Sequence, residues 1–241
     1  MLLLHGLAGH GGEWADTATG LLDCVRPVAF DARGHGHSER FPHDVSAAAR
    51  VADARFVIEA LDLGPAIVVG QSLGGQTALL LAAQHPEVVR ALVVAEASPD
   101  SGGDDAYLHV ERSLRRWPVR FATRAEAIDY FAGRGSAAAV SADGLEERSE
   151  GLWPRFDIDV MVRTVRQADS RTYWEEWESI RCPILVVHAA AGTAPEDHAL
   201  RLVARARHGE LVEVDGAGHD VHLDQPEEWL RILRAFVTSL E

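Results

Sequence analysis

Gly70-Gln71-Ser72-Leu73-Gly74 constrains this chain more than any other stretch. The apolar run Ala66-Ile67-Val68-Val69 precedes it, and an Ala/Leu-rich helical pattern from Gln76 to His85 follows. A serine between a strand and a helix, with glycine two residues away on each side, marks a turn so sharp that its flanks must be small. Such a turn leaves the Ser72 hydroxyl exposed at the carboxyl end of the strand, with the helix amino terminus beneath it. Five letters of this kind recur by chance; the strand before and the helix after give them meaning.

The rest of the chain alternates short apolar runs with helical patterns, the signature of a parallel α/β sheet. Strands are expected at Leu2–Leu4, Pro27–Phe30, Ala66–Val69, Ala91–Ala95, Ile184–Val187 and Leu211–Val214. Val51, Ala54, Ile58 and Leu61 recur at spacings of three and four, which predicts a helix over 46–62. Ser46 or Asp44 suits its cap, and Gly64 lies just past its end. A last helix is expected from about Pro226 to Leu240, with proline in its first turn. Between roughly 100 and 180 the alternation breaks down into a polar, helical pattern carrying Trp117, Trp153, Trp174 and Trp177. The expected organisation is therefore a core segment at 1–99, a helical lid at 100–180 and a second core segment at 181–241, with most of these tryptophans in the core.

At 241 residues the chain fits one domain carrying one insertion. A net charge of −14 argues against nucleic acid or an anionic membrane as partner. There is no lysine, so Schiff-base chemistry is excluded. Cys24 and Cys182 are isolated, each beside an expected strand, and read as buried free thiols with no zinc pattern. The opening Met-Leu-Leu-Leu is too short for a signal peptide. No apolar run approaches the roughly 20 residues needed to span a bilayer, and a cytoplasmic location is expected.

Three further segments fall where Ser72 needs partners. Leu2-Leu3-Leu4-His5-Gly6-Leu7 is a buried strand ending in a turn, which brings the Leu7 N–H towards the site. Paired with the Leu73 N–H, it would hold the oxyanion of a tetrahedral intermediate. Asp31-Ala32-Arg33-Gly34-His35-Gly36-His37-Ser38 is a glycine-punctuated turn. His35 and His37 alternate as metal ligands do, but a tight loop packed under the site is the preferred reading. Gly216-Ala217-Gly218-His219 follows a strand and can bring a histidine over the sheet edge as general base. Nearby Asp220 and His222 read as solvent-facing or helix-capping groups. Whether Gln71 faces the pocket or packs in the turn stays open.

Together, His5-Gly6, Asp31-x-Arg33-Gly34-His35-Gly36-x-Ser38, Gly70-x-Ser72-x-Gly74 and Gly218-His219 resemble the α/β-hydrolase superfamily. The similarity is to its lid-bearing esterases, lactonases, carbon–carbon hydrolases and cofactor-free perhydrolases, and it spans residues 2 to about 235. It implies an α/β-hydrolase fold with strand order 1-2-4-3-5-6-7-8, Ser72 as nucleophile and His219 as base. It implies a small-molecule substrate and neither cofactor nor metal. Serine at 72, in place of aspartate, argues against haloalkane dehalogenase and epoxide hydrolase activity.

The chain departs from that pattern twice. The His-Gly strand is the family's third, yet it begins at residue 2, so about six strands are expected and Pro27–Phe30 becomes an exposed edge. An exposed edge invites pairing, hence an expected homodimer through this strand or a start placed too late. The triad acid usually lies about seven to nine residues beyond the proline opening strand seven; counted from Pro183, those places hold Ala190, Ala191 and Gly192. Some members take the acid from the end of strand six, where this chain has Glu96. A glutamate ending a buried strand needs a partner, and His219 is the expected one, with Glu196 and Asp197 in reserve. The leading expectation is a serine hydrolase acting on an ester, thioester or lactone of a small, largely apolar molecule. The alternatives are a carbon–carbon hydrolase or perhydrolase, and a non-catalytic binding protein suggested by the alanine run at 189–191.

Overall fold

The apolar runs assemble into one parallel sheet. The structure is a computed structural model describing residues 1–101, 103–135, 137–192 and 196–241. Its strands are β1 (Leu2–Leu4), β2 (Val28–Ala29), β3 (Ala66–Gln71), β4 (Val89–Ala95), β5 (Glu146–Arg148), β6 (Gly151–Trp153), β7 (Ile184–Ala189) and β8 (Gly209–Val214). Its helices are α1 (Ala15–Leu21), α2 (Ala47–Ala60), α3 (Leu73–Gln84), α4 (Gly103–Leu114), α5 (Arg124–Phe131) and α6 (Ala137–Asp143), then α7 (Ile158–Ala168), α8 (Trp174–Ser179), α9 (Glu196–Arg205), α10 (Val221–Asp224) and α11 (Pro226–Ser239). The main sheet has six strands in the order β2-β1-β3-β4-β7-β8, every neighbour parallel. This is the 4-3-5-6-7-8 part of the order implied by the resemblance, with β2 at the edge as expected.

Because side chains alternate along a strand, continuous apolar runs feed both faces of the sheet. Leu2, Leu4, Val68, Leu92, Val94, Ile184 and Val186 meet α2, α3 and α8 on one side. Leu3, Val69, Val93, Leu185 and Val187 meet α1 and α11 on the other, around Trp14 and Trp229. Each such side chain contributes about 1.5–3 kcal/mol relative to exposure. The sequence-predicted helix boundaries hold to within two residues for α2 and α11. Both candidate caps of α2 act together: the Ala49 N–H donates to Ser46 Oγ (3.1 Å), and the Ser46 N–H donates to Asp44 Oδ1 (2.8 Å).

The excursion between β4 and β7 differs from a purely helical insertion. Glu146–Arg148 and Gly151–Trp153 form an antiparallel hairpin, and Phe121, Phe131, Ala138 and Leu145 make a separate small core. Trp177 is fully buried in the main core, its Nε1–H donating to the Leu202 carbonyl (2.9 Å), and Trp174 packs beside it. Residues from Tyr173 to Ile180 therefore belong structurally to the sheet's helical layer. Cys24, expected to be buried, is exposed: it lies in the turn after α1, short of the sheet. Cys182 is partly buried, and burial pushes its thiol up to about 11. Among the described residues no helix is long and apolar enough to cross a membrane.

Candidate active site

Ser72 stands at φ 52°, ψ −118°, a left-handed conformation that costs a non-glycine residue of order 1–3 kcal/mol. The turn is held on both sides: the Ser72 N–H donates to Ala95 O and the Gln76 N–H to Ser72 O, each at 3.0 Å. A β-carbon at Gly70 would overlap the Gly74 carbonyl, and one at Gly74 would overlap the Leu4 and His5 carbonyls. Both flanking glycines are thus required by close backbone approach.

The turn after β1 runs alongside. The Ala8 amide, at φ 60°, donates to His35 Nε2 (3.0 Å), and the Gly9 amide donates to Gly6 O (3.2 Å). Neither the Leu7 nor the Leu73 amide donates to a described residue. His5 works like His35: its Nε2 accepts the Ala32 N–H (2.9 Å), while the two rings' Nδ1 atoms face Gly6 O (2.7 Å) and Arg33 O (3.0 Å). Asp31 Oδ1 and Oδ2 accept the Gly11 and His37 amides, both at 2.7 Å. Arg33 grips Asp53 through two nitrogens, at 2.6 and 2.7 Å. Both nitrogens of His35 are committed to backbone and His37 is exposed, so the 31–38 segment is the packed loop expected of it.

These two histidines make folding pH-dependent. Burial pushes His5 down to about 4 and His35 down to about 3, from 6.5. A site with a lower pKa when folded binds protons preferentially in the unfolded chain, so stability rises with pH between the two values. The contribution is complete above pH 6.5 and is lost as pH falls towards 4 and 3. The slope is about 1.4 kcal/mol per pH unit for each site. Urea denaturation at pH 7, 6 and 5 is expected to show this loss, with a shallower slope for His35→Gln. An unchanged slope in that variant would contradict the assignment.

β8 leads into the loop that presents His219, half-buried at the surface of the site. Its carbonyl accepts the Gln71 Nε2–H (2.9 Å), and the Gly218 N–H donates to Asp224 Oδ2 (2.9 Å). Glu96 directly follows β4, at φ 48°, with its side chain fully buried. Glu96 Oε2 lies 3.5 Å from His219 Nδ1. Glu96 Oε1 accepts the Ala189 N–H (2.9 Å) and lies 3.3 Å from His188 Nδ1. A β-carbon at Gly192 would collide with this carboxylate, so the space beside the end of β7 is filled by Glu96 itself. The alanine run also braces the site, because the Ala190 and Ala191 amides donate to Val214 O and Ala217 O and so carry the loop before His219. Of the reserve acids, Asp197 is exposed on α9; the Glu196 side chain and residues 193–195 lie outside the described residues.

The fold revises one sequence reading, settles the packing of a second residue and brings in a third. His222 is buried, stacked on Trp14 with ring centroids 4.1 Å apart and tilted against Trp229, not solvent-facing or capping. Gln71 turns inward, its buried amide tying β3 to the His219 loop. His188, absent from the sequence-based set, approaches Glu96; a histidine directly after the apolar run Ile184-Leu185-Val186-Val187 was the available signal. Above the site, Leu7 and Ala8 pack against Tyr107, Phe156, Val160 and Met161 of the excursion.

The model of the Alpha/beta hydrolase family matches residues 1–232. A putative carbamate hydrolase, RutD, from Caulobacter sp. (strain K31) is 30% identical, covering 99% of this chain and 90% of its own length. The 2-(acetamidomethylene)succinate hydrolase of Mesorhizobium japonicum is 27% identical over 99% of this chain and 88% of its own. A crystal structure of E-2-(acetamidomethylene)succinate hydrolase superposes with a TM-score of 0.91 at 24% identity, covering 99% of this chain and 91% of that one. The strand order, the glycine-flanked serine turn and the family match over nearly the whole length agree: this chain belongs to the alpha/beta hydrolase family and is a hydrolase.

Proposed function

We propose that the protein is a serine hydrolase that cleaves an ester, thioester or lactone of a small, largely apolar molecule through an acyl-enzyme. The observation that carries this reading is that the strained Ser72 turn is tied to the His219 loop through the adjacent Gln71 (2.9 Å to the His219 carbonyl), with His219 Nδ1 facing the buried Glu96 carboxylate at 3.5 Å. Ser72 Oγ attacks the substrate carbonyl as His219 Nε2 takes its proton. The Leu7 and Leu73 amides bind the developing oxyanion, each such donor being worth on the order of 100- to 1,000-fold in rate. His219 then protonates the leaving group. A water deprotonated by the same nitrogen releases the acid and regenerates Ser72. Glu96 holds Nδ1–H and stabilises the imidazolium.

The apolar side chains over the Leu7 turn favour an uncharged acyl group, and the net charge of −14 disfavours anionic ones at long range. The relatives named for a carbamate and for an acetamidomethylene compound mark the range of acyl bonds to test. A panel of p-nitrophenyl acetate, butyrate and succinate, small lactones and a carbamate is expected to show turnover of neutral short esters or lactones, with a burst of one p-nitrophenol per active chain. No turnover and no burst from folded protein across the panel would reject the proposal.

A further inference from the structure

Glu96 is approached by two histidines, and only one of them belongs to the proposed triad. Its Oε2 faces His219, while Oε1 takes the Ala189 N–H (2.9 Å) and lies 3.3 Å from His188 Nδ1. His188 is buried at the end of β7, 7% exposed by side chain, beside a carboxylate with no exposure at all. The Ala189 N–H and His188 Nδ1 approach the same oxygen, and a donor from each would fix the plane of the carboxylate; bonds to a charged acceptor are the strong ones. An imidazole nitrogen facing a carboxylate is the protonated one. From α9, His198 sits near enough to couple electrostatically to His188, with its own Nδ1 3.4 Å from Asp100 Oδ2.

We propose that His188 is a positioning residue. By donating Nδ1–H to Glu96 Oε1, it holds the carboxylate in the plane from which Oε2 serves His219. The inference rests on the Ser72–His219–Glu96 reading and adds a fourth side chain that holds its acid in place.

The test is the second-order rate of Ser72 labelling by a fluorophosphonate, with thermal unfolding confirming the fold of each variant. His188→Leu is expected to slow labelling about 10- to 100-fold, the range lost when outer partners of site ligands are removed. His188→Asn, which places an amide N–H near Nδ1, is expected to restore most of the rate. In a Glu96→Gln background His188→Leu is expected to bring no further loss, because the amide presents NH2 to His219 and no longer serves its Nδ1–H, so holding it in place has nothing left to support. A wild-type rate in folded His188→Leu, equal losses in the Leu and Asn variants, or an undiminished effect in the Glu96→Gln background would each overturn the proposal. A measurement on the wild-type fold covers the case of a variant that does not fold. A downfield imidazole N–H proton of His188 is expected by NMR, moving upfield in Glu96→Gln; its absence also overturns the proposal. Wild type that is not labelled at all removes the triad reading, and this inference with it; labelled wild type with an indifferent His188 removes only the inference.

Discussion

Ser72→Ala is expected to lower kcat by about a million-fold on any substrate the wild type turns over, while leaving the fold intact. Removing the nucleophile of a serine triad costs about as much as removing all three members, because they act as a unit. The strain at Ser72 is a property of the backbone, set by φ 52° and by the close approach at Gly70 and Gly74. Alanine adopts the same conformation and fills less space, so packing and unfolding temperature should be preserved. Substrate binding should survive as well, making the loss one of kcat rather than KM. Steady-state kinetics on the best ester of the panel, with the burst phase followed in parallel, separates these quantities. A variant that keeps a burst, or more than about 1% of wild-type kcat against the loss expected from triad dissection, would mean that another group attacks the substrate.

Glu96→Gln is expected to lower kcat by about ten thousand-fold, the loss typical of converting the triad acid to its amide. The geometry says why. The amide oxygen is expected to remain where Oε1 accepts the Ala189 N–H and faces His188, which turns the amide NH2 towards His219. An NH2 group there requires His219 Nδ1 to accept, which puts the proton on Nε2 and blocks it from taking the Ser72 proton. The pH–rate profile of the variant is the check. Activity that recovers only at alkaline pH, where hydroxide or deprotonated serine bypasses the base, fits a tautomer defect. Turnover equal to wild type at neutral pH would remove Glu96 from the triad and return attention to the 193–197 region.

What the sequence could reveal follows from range. The serine turn, the strands and α2 are local: glycine spacing and apolar periodicity report them without knowledge of partners. Glu96 entered through the strand-six position the resemblance gives to an acid, and a charge after a buried strand needs a counterpart; His219 Nδ1 lies 3.5 Å from it. The strand order came from the resemblance, and the six-stranded sheet followed. What stayed hidden depends on tertiary approach. Trp174 and Trp177 carry no mark that sends them to the sheet's helical layer and not to the excursion. The hairpin at Glu146–Arg148 and Gly151–Trp153 is too short and polar to show alternation. His222 is buried because Trp14 and Trp229, distant in sequence, close on it. The Gln71 amide finds the His219 carbonyl only when β3 and the loop after β8 converge.

The proposed mechanism requires that a working base activate Ser72. Incubation with a fluorophosphonate followed by intact-mass measurement, with Ser72→Ala and His219→Ala as controls, tests it without knowledge of the substrate. One adduct per wild-type chain is expected, and none on either variant. Folded wild type that stays unmodified, or an adduct that persists on Ser72→Ala, would contradict the mechanism.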